Sequence, residues 1–308
     1  MNSMKKILLS ALMFFGFFQE LIAQQLPQYS QYLFNDYAIN PAVGGSNPYF
    51  DSRINYRNQW TGVTDSPRTF ILGVHGPLKS KKVGLGGSLF TDITGPTRRT
   101  GFNFSYTYHL KVADNTKLGL GLSAGLLQFA IDGSKITLRD PGDQYFANNV
   151  QSVLLPDFGF GFYLYHDKYF LGASVPQLLQ NKINFFSNVN SKAKLEDHYF
   201  ISGGYKFDIG KDFQFQPSFL VKYVNPIPVQ FDFSGRLIYQ DKLWLGGTYR
   251  TKDAISAMIG FTHQDNMMFG YSYDFTVSGL QKYSAGTHEL MIGMKFMPQS
   301  IKDTPSVQ

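Results

Sequence analysis

Hydrophobic and polar residues alternate one by one along much of this chain, and the alternation predicts its secondary structure. From residue 102 to residue 109 an aromatic side chain stands at every second position, with polar residues between them. Residues 213–223, 229–239 and 267–275 repeat the pattern. Because successive side chains of a strand point to opposite faces, each stretch is predicted to be a strand with one aromatic face and one polar face.

Windows of this kind recur about fourteen times, an even count of the kind that single-chain bacterial barrels have. Most windows approach the nine to eleven residues with which a tilted strand crosses a membrane. The sequence therefore predicts an all-β fold, a transmembrane antiparallel up-and-down β-barrel over residues 50–296. The predicted strands are residues 50–60, 69–77, 82–91, 99–110, 116–131, 155–165, 169–178, 197–209, 213–223, 228–239, 243–251, 254–263, 267–275 and 284–296.

The connections between the predicted strands support a barrel independently. Every second connection is expected to be short and polar, as at residues 166–168, 210–212, 240–242 and 264–266. Much longer ones lie between them, chiefly 132–154 and 179–196. Short turns at one rim and long loops at the other are typical of outer-membrane barrels, in which the short turns face the periplasm. A secreted β-sandwich or propeller, the alternative all-β reading, has no reason to sort its loops in this way.

The amino-acid composition further limits the classes of protein to which the chain can belong. Charged residues make up only 16% of the chain and aromatic residues another 16%, whereas soluble domains carry about a quarter charged residues. The absence of cysteine excludes disulfides, thiol catalysis and cysteine metal sites. The formal net charge of +6 is spread without a basic block, so nucleic-acid binding gains no support.

The two ends of the chain read as separate segments. Lys5 and Lys6 precede an apolar run that begins at Ile7 and is too short to cross a bilayer. With Ala23 as the small residue at the cleavage site, residues 1–23 are predicted to be a signal peptide. Residues 297–308 form a polar C-terminal tail.

Residues 24–49, the N-terminal leader, do not alternate. Pro27 could open a short helix with Tyr29, Leu33 and Tyr37 on one face, and Pro41 would end it. Such a segment fits a plug in the lumen, a periplasmic lid, a partner-docking element or a plain tether, and the sequence does not choose among them.

Small residues share the polar face of several predicted strands, among them Gly84, Gly86, Gly119, Gly121 and Gly159. Glycine lets other backbone approach closely, so this wall could receive a plug or a bound segment. The alternative is that these glycines relieve curvature in a narrow barrel.

Motifs for catalysis are weak. Residues 121–125 match G-x-S-x-G, but they lie in the middle of a strand, whereas that chemistry needs a sharp strand-to-helix turn. The best available pair of a nucleophile and a general base is Ser123 with His109 on the neighbouring strand. Nothing in the sequence orients this histidine. The six histidines show no metal-ligand spacing. We therefore expect no enzyme activity, no cofactor and no metal.

Several segments together resemble the PorP/SprF family of Bacteroidetes outer-membrane proteins, which is associated with type IX secretion and gliding. The resemblance covers essentially the whole mature chain, departing at Val43 and Gly44 and in the tail beyond Phe296. The residues that carry it are Gln25, Pro27, Tyr29, Ser30, Gln31, Tyr32, Asn35, Asn40, Pro41, Ala42 and Gly45, then the segments 56–60, 66–69, 75–78 and 288–296.

The resemblance implies a non-enzymatic outer-membrane protein of a Bacteroidetes-type bacterium that works by protein contact in lipid. It would anchor or deliver a secreted surface adhesin, through the adhesin's C-terminal domain, or link periplasmic lipoproteins of the type IX machinery to the outer membrane. The alternative is a diffusion channel or hydrophobic-solute transporter.

Within this picture, five residues are the candidate latch and partner contact between leader and barrel: Asn40, Pro41, Tyr56, Arg57 and Trp60. Arg53 and Arg57 should share the lumen face with Asp51, where buried charges need partners. Asp157 or Asp232 could supply one.

Overall fold

The computed structural model describes residues 28–136, 150–185 and 193–296. The predicted signal peptide and the C-terminal tail lie outside the described residues, as do the middles of the two longest predicted loops. The strands are β1 Phe50–Asn58, β2 Arg68–Pro77, β3 Val83–Thr94, β4 Thr97–Ala113, β5 Thr116–Asp132, β6 Val150–Tyr165, β7 Tyr169–Val175, β8 His198–Tyr205, β9 Phe207–Ile209, β10 Phe213–Val224, β11 Ile227–Tyr239, β12 Leu243–Arg250, β13 Ala254–His263, β14 Met267–Thr276 and β15 Thr287–Phe296.

These strands form one closed antiparallel sheet. Strands that follow each other in the chain pair with each other, except β8 and β9, and β1 also pairs with β15. Strand β10 pairs with β8 and β9 on one edge and with β11 on the other. Strands β8 and β9 pair with successive parts of β10 and are interrupted at Lys206, so together they form one barrel strand. The result is a barrel of fourteen strands, which confirms the predicted fold.

Three of the strand boundaries that differ from the prediction are explained by neighbouring residues or strands. Strand β7 ends at Val175 because the next residue is Pro176, which has no N–H to donate. Strand β15 begins at Thr287, because a short 3-10 helix, Gly279–Lys282, occupies the connection before it. Strand β6 begins earlier than predicted, at Val150, because its outer end continues to pair with β5.

The barrel is apolar outside and polar inside. On β4, Phe102 and Phe104 are 55% and 50% exposed, whereas Ser105 and Thr107 on the opposite face are 2% and 0% exposed. The other strands show the same division of outward aromatic and inward polar residues. The outward face is therefore the one that contacts lipid.

The two rims differ, and we name them by their connections. At the short-turn rim the connections hold between two and five residues: 78–82, 114–115, 166–168, 210–212, 240–242 and 264–266. Strand β1 begins and β15 ends at this rim. The long-loop rim carries the connections 59–67, 95–96, 133–149, 176–197, 225–226, 251–253 and 277–286.

The remaining regular structure is short. Beside the turn at 279–282, three 3-10 helices cover Asp36–Ala38, Pro41–Val43 and Gly133–Lys135. In the part of the chain that the structure describes, no helix has the length and apolar character needed to cross a membrane.

Candidate functional site

Residues 28–49, which we call the plug segment, lie inside the barrel. Gln31 and Ala42 are fully buried and Tyr32 is 1% exposed. The segment starts near the long-loop rim, where Ser30 contacts Glu289 close to the start of β15. It ends at the short-turn rim, where it joins β1. The chain therefore fills its own lumen before it forms the wall.

Local sequence sets the shape of the plug segment at Asn40. The Asn40 carboxamide oxygen accepts a hydrogen bond from the Ala42 N–H at 2.9 Å, which caps the Pro41–Val43 turn. The amide nitrogen of the same side chain donates to the Phe162 carbonyl at 2.9 Å. The Pro41 carbonyl accepts from the Thr107 hydroxyl at 2.8 Å. One turn is thus tied to both β4 and β6.

The wall beside this turn is built of glycine, and we call Gly84, Gly86, Gly119, Gly121 and Gly161 the glycine wall. A Cβ atom at Gly84 would overlap the carbonyl of Gly44, and one at Gly121 would overlap the backbone of Ala42. A Cβ at Gly161 would overlap the Asn40 side chain. These glycines admit the backbone of the plug segment at Gly84, Gly119 and Gly121 and its side chains at Gly86 and Gly161. This supports the interpretation that the glycines receive a plug.

On the other side the wall is charged, and we call Arg57, Asp232, Arg250, Asp274 and Glu289 the charged wall. Arg57 contacts Asp274 at 2.7 Å and Glu289 at 3.1 Å. Arg250 contacts Asp232 at 3.2 Å and Asp274 at 3.6 Å. All five side chains are at most 2% exposed. The network joins strands β1, β11, β12, β14 and β15 from within.

The plug segment completes this network. The Ser30 N–H donates to Glu289 Oε2 at 2.7 Å, and its hydroxyl donates to Asp274 Oδ2 at 2.7 Å. Arg57 Nη1 donates to the same hydroxyl at 2.9 Å. Gln31 Nε2 donates to the Glu289 carbonyl at 3.1 Å. Buried charges are tolerated only when their remaining hydrogen bonds are satisfied, and Ser30 supplies several of them.

A second ion pair lies closer to the short-turn rim. Arg53 pairs with Asp51 and also donates to the Phe34 carbonyl of the plug segment. Nearby, the Asp36 carboxylate accepts a hydrogen bond from the Tyr163 hydroxyl at 3.2 Å. Desolvation by burial raises the pKa of Asp36 to about 6.

The long-loop end of the lumen is closed by apolar side chains. Tyr29 of the plug segment packs in one cluster with Ile183 and Leu195 of the connection 176–197. The rest of the cluster comes from inward positions of the strands: Ile71, Phe90, Leu127, Phe129, Leu155, Phe200 and Leu220. Tyr32 and Ile39 complete it from the plug segment. Inward residues at this end are therefore apolar, although the lumen face as a whole was predicted to be polar.

The short-turn end of the lumen is open, and its cavity of about 840 Å³ we call the vestibule. The plug segment forms its floor through Phe34 and Asp36, and the turns of the short-turn rim form its edge. Aromatic residues such as Trp244 and Phe170 line it beside lysine and arginine side chains.

The structure places the five latch candidates in different surroundings. Asn40 and Pro41 contact the barrel at β4 and β6, and Arg57 contacts the plug segment at Ser30. Tyr56 is 41% exposed and points outward, because residues next to each other in a strand face opposite sides. Trp60 lies at the long-loop rim, where its backbone N–H donates to the Thr287 hydroxyl. Tyr56 therefore faces away from the plug segment, and a role of these five residues in partner contact stays a prediction.

Asp51, Arg53 and Arg57 share the lumen face as expected, and all three are buried. The partner of Arg53 is Asp51 itself, not Asp157 or Asp232. Arg57 pairs with neither Asp157 nor Asp232, because closure of the barrel brings β15, with β14 on its far side, beside β1 instead. The sequence reasoning missed Arg250, Asp274 and Glu289. A charged residue at an inward position of an alternating strand is the signal that could have found them.

The weak catalytic pair stays separated. His109 is paired in register with Gly119, four residues along β5 from Ser123. Its Nε2 contacts the Gly44 carbonyl at 3.0 Å and its Nδ1 contacts the Tyr165 hydroxyl at 3.1 Å. Among residues 28–136, 150–185 and 193–296, no group of three or more His, Cys, Asp and Glu side chains is placed to hold a metal ion.

An apolar exterior, a closed antiparallel sheet and short turns at one rim define an outer-membrane β-barrel, here one with an internal plug. By this class the short-turn rim and the vestibule face the periplasm. Residues 21–294 match the family model of the type IX secretion system membrane protein PorP/SprF, and the chain belongs to this family. No curated protein matches the sequence.

Solved structures resemble the chain in fold. The CymD monoaromatic hydrocarbon channel aligns over 89% of this chain and 94% of its own, with a TM-score of 0.50 and 10% identity. The toluene transporter TbuX of Ralstonia pickettii aligns over 84% and 92%, with a TM-score of 0.49 and 10% identity. A FadL homologue of Pseudomonas aeruginosa aligns over 88% and 94%, with a TM-score of 0.48 and 11% identity. At these identities the likeness concerns the barrel alone.

Proposed function

We propose that this protein is a non-enzymatic docking component of the type IX secretion system. It anchors or delivers a secreted adhesin at the cell surface through the adhesin's C-terminal domain, or it links periplasmic lipoproteins of the machinery to the outer membrane. The observation that carries the proposal is the plug segment, which is held in the lumen by the charged wall on one side and the glycine wall on the other.

A lumen filled in this way suits a protein that acts through its surfaces. Ser30 bonds to the barrel at Glu289 and Asp274, Asn40 bonds to it at Phe162, and Ala42 is fully buried. Removing the segment would leave the charged wall with unsatisfied buried groups, which is costly. The surfaces left for partners are the long loops outside and the vestibule inside.

A diffusion channel for small apolar solutes is the second candidate. A cavity of about 60 Å³ lies in the outer half of the lumen, lined mainly by apolar side chains that include Tyr29, Ile71 and Phe90. A channel would move a solute through this space past the plug segment. Conductance and solute uptake in liposomes should therefore be near background for a docking protein and clearly above it for a channel.

Co-purification tests the docking proposal directly. The chain is extracted from its native membrane in mild detergent with an affinity tag in the connection 277–286, and bound proteins are identified and quantified. We expect a secreted adhesin or a periplasmic lipoprotein in stoichiometric amount. Recovery of the barrel alone, together with conductance above background, would reject docking in favour of the channel.

A further inference from the structure

The vestibule carries more positive than negative charge. Five lysines and two arginines line it, against four aspartates. Part of this charge is neutralised locally, since Arg53 pairs with Asp51 and Lys168 pairs with Asp208. The excess therefore rests on the remaining cations.

Among the vestibule cations outside these two ion pairs, Arg236 is the most buried. Its side chain lies on β11 at the floor of the vestibule, and the residue is 9% exposed. One guanidinium nitrogen donates to Gln216, and the group lies 4.2 Å above the Phe34 ring of the plug segment. Its Nε has no hydrogen-bond partner in the part of the chain that the structure describes. No carboxylate among the described residues lies within ion-pair distance of this guanidinium.

Lys206 adds a second positive charge to the vestibule. It lines the cavity at the interruption between β8 and β9. Two cations in one cavity, one of them with an unused donor, favour the binding of an anion.

We propose that Arg236 and Lys206 bind a carboxylate group of an acidic peptide segment that enters the vestibule from a periplasmic partner. Planar guanidinium groups bind carboxylates in a fixed geometry, which favours a side-chain carboxylate at this point. The cavity is far larger than a free ion and matches the size of ordinary ligand pockets. Trp244 and Phe170 supply apolar surface for neighbouring side chains of the segment. The inference rests on the proposed function in one respect, that a partner docks from the periplasm.

The test uses the full chain in detergent micelles and a short fluorescent peptide of alternating glutamate and tyrosine. A matched peptide carries lysine in place of glutamate, and binding is measured by fluorescence anisotropy. We expect the glutamate peptide to bind well above the lysine peptide, and its affinity to fall as salt is added. Arg236→Gln and Lys206→Gln should each weaken binding about tenfold, a loss of one charge-assisted contact.

Lys211→Gln is the matched control, because Lys211 lies in a turn of the same rim but does not line the vestibule. It should bind the glutamate peptide as the unchanged chain does. Heat-dependent mobility on gels verifies that each variant is a folded barrel, and Lys206→Gln keeps the test valid if the buried Arg236 variant does not fold.

Equal binding of the two peptides by the unchanged chain would overturn the proposal. So would a folded Lys206→Gln variant that binds the glutamate peptide as tightly as the Lys211→Gln control does. Neither result touches the docking function itself, which stands or falls on whether a partner co-purifies with the unchanged chain.

Discussion

The charged wall and the glycine wall hold the same segment by opposite means. The charged wall uses long side chains that meet the plug segment at Ser30 with hydrogen bonds of 2.7–2.9 Å. The glycine wall has no side chains at all, and the plug backbone lies directly on the barrel backbone near Ala42. One wall is specific through charge and the other through shape.

The two walls should therefore fail differently. Removing one member of a buried charge network leaves its partners unpaired, whereas adding a methyl group to a backbone contact pushes two chains apart. The loss of a charge leaves the shape of the lumen intact, whereas the added methyl group changes it. Substitutions in each wall therefore distinguish the two kinds of failure.

The largest effect is expected from Arg57→Met. The change leaves Asp274 and Glu289 buried without their shared cation, which should cost about 3–5 kcal/mol of unfolding free energy. Urea unfolding in detergent, followed by tryptophan fluorescence, measures the loss. Lys111→Met is the control, because the Lys111–Asp114 pair is exposed and its loss should matter by less than about 0.5 kcal/mol. Equal stability of the two variants would show that the charged wall is not holding the structure.

The glycine wall is tested by Gly84→Ala. The new methyl group would overlap the Gly44 carbonyl, so we expect a loss of about 1–3 kcal/mol from overpacking and faster proteolysis of the plug segment. Gly87→Ala on the same strand is the control, because its Cβ would meet only the Asn103 carbonyl, at 3.6 Å. If the two alanine variants are cut at the same rate, the close approach of the plug backbone is not what requires glycine at position 84.

A smaller loss is expected from Asn40→Ala. It removes the cap on the Pro41–Val43 turn and the bond to the Phe162 carbonyl, which together should cost about 1–2 kcal/mol. Asn47→Ala, a half-buried residue of the same segment, should leave the unfolding midpoint nearly unchanged. Matching midpoints for both variants would argue that the bond of Asn40 to β6 does not stabilise the fold.

The smallest effect depends on pH and concerns Asp36, which lies between the walls with Arg53 on one side and Tyr163 on the other. Its pKa is raised from 3.8 to about 6, so the folded state holds the proton more tightly than the unfolded state does. Stability from this group is complete below the unfolded pKa and is lost as the pH rises through the folded pKa. Unfolding of the unchanged chain and of Asp36→Asn at several pH values should therefore diverge between about pH 4 and 7, with the asparagine variant favoured at the higher pH. Parallel stability curves would contradict a raised pKa.

Alternation was sufficient to predict the strands and the direction of their faces, because period two is a local property of the chain. The same alternation implies that Tyr56 and Arg57 face opposite sides of β1. The ion partners of Arg57 could not be predicted, because Glu289 lies more than two hundred residues away and meets Arg57 only through closure of the barrel. The interruption at Lys206 and the apolar inner face near Leu127 likewise depend on how distant segments pack.

The position of Ser30 has a consequence for assembly. Its contacts bridge Arg57 on the first strand and Glu289 on the last, the two strands whose pairing forms the seam of the cylinder. Both members of the ion pair across the seam, Arg57 and Glu289, bond to Ser30 when the serine is in place. Insertion of the N-terminal segment and closure of the barrel therefore stabilise each other. The closed barrel is complete only with its plug segment inside.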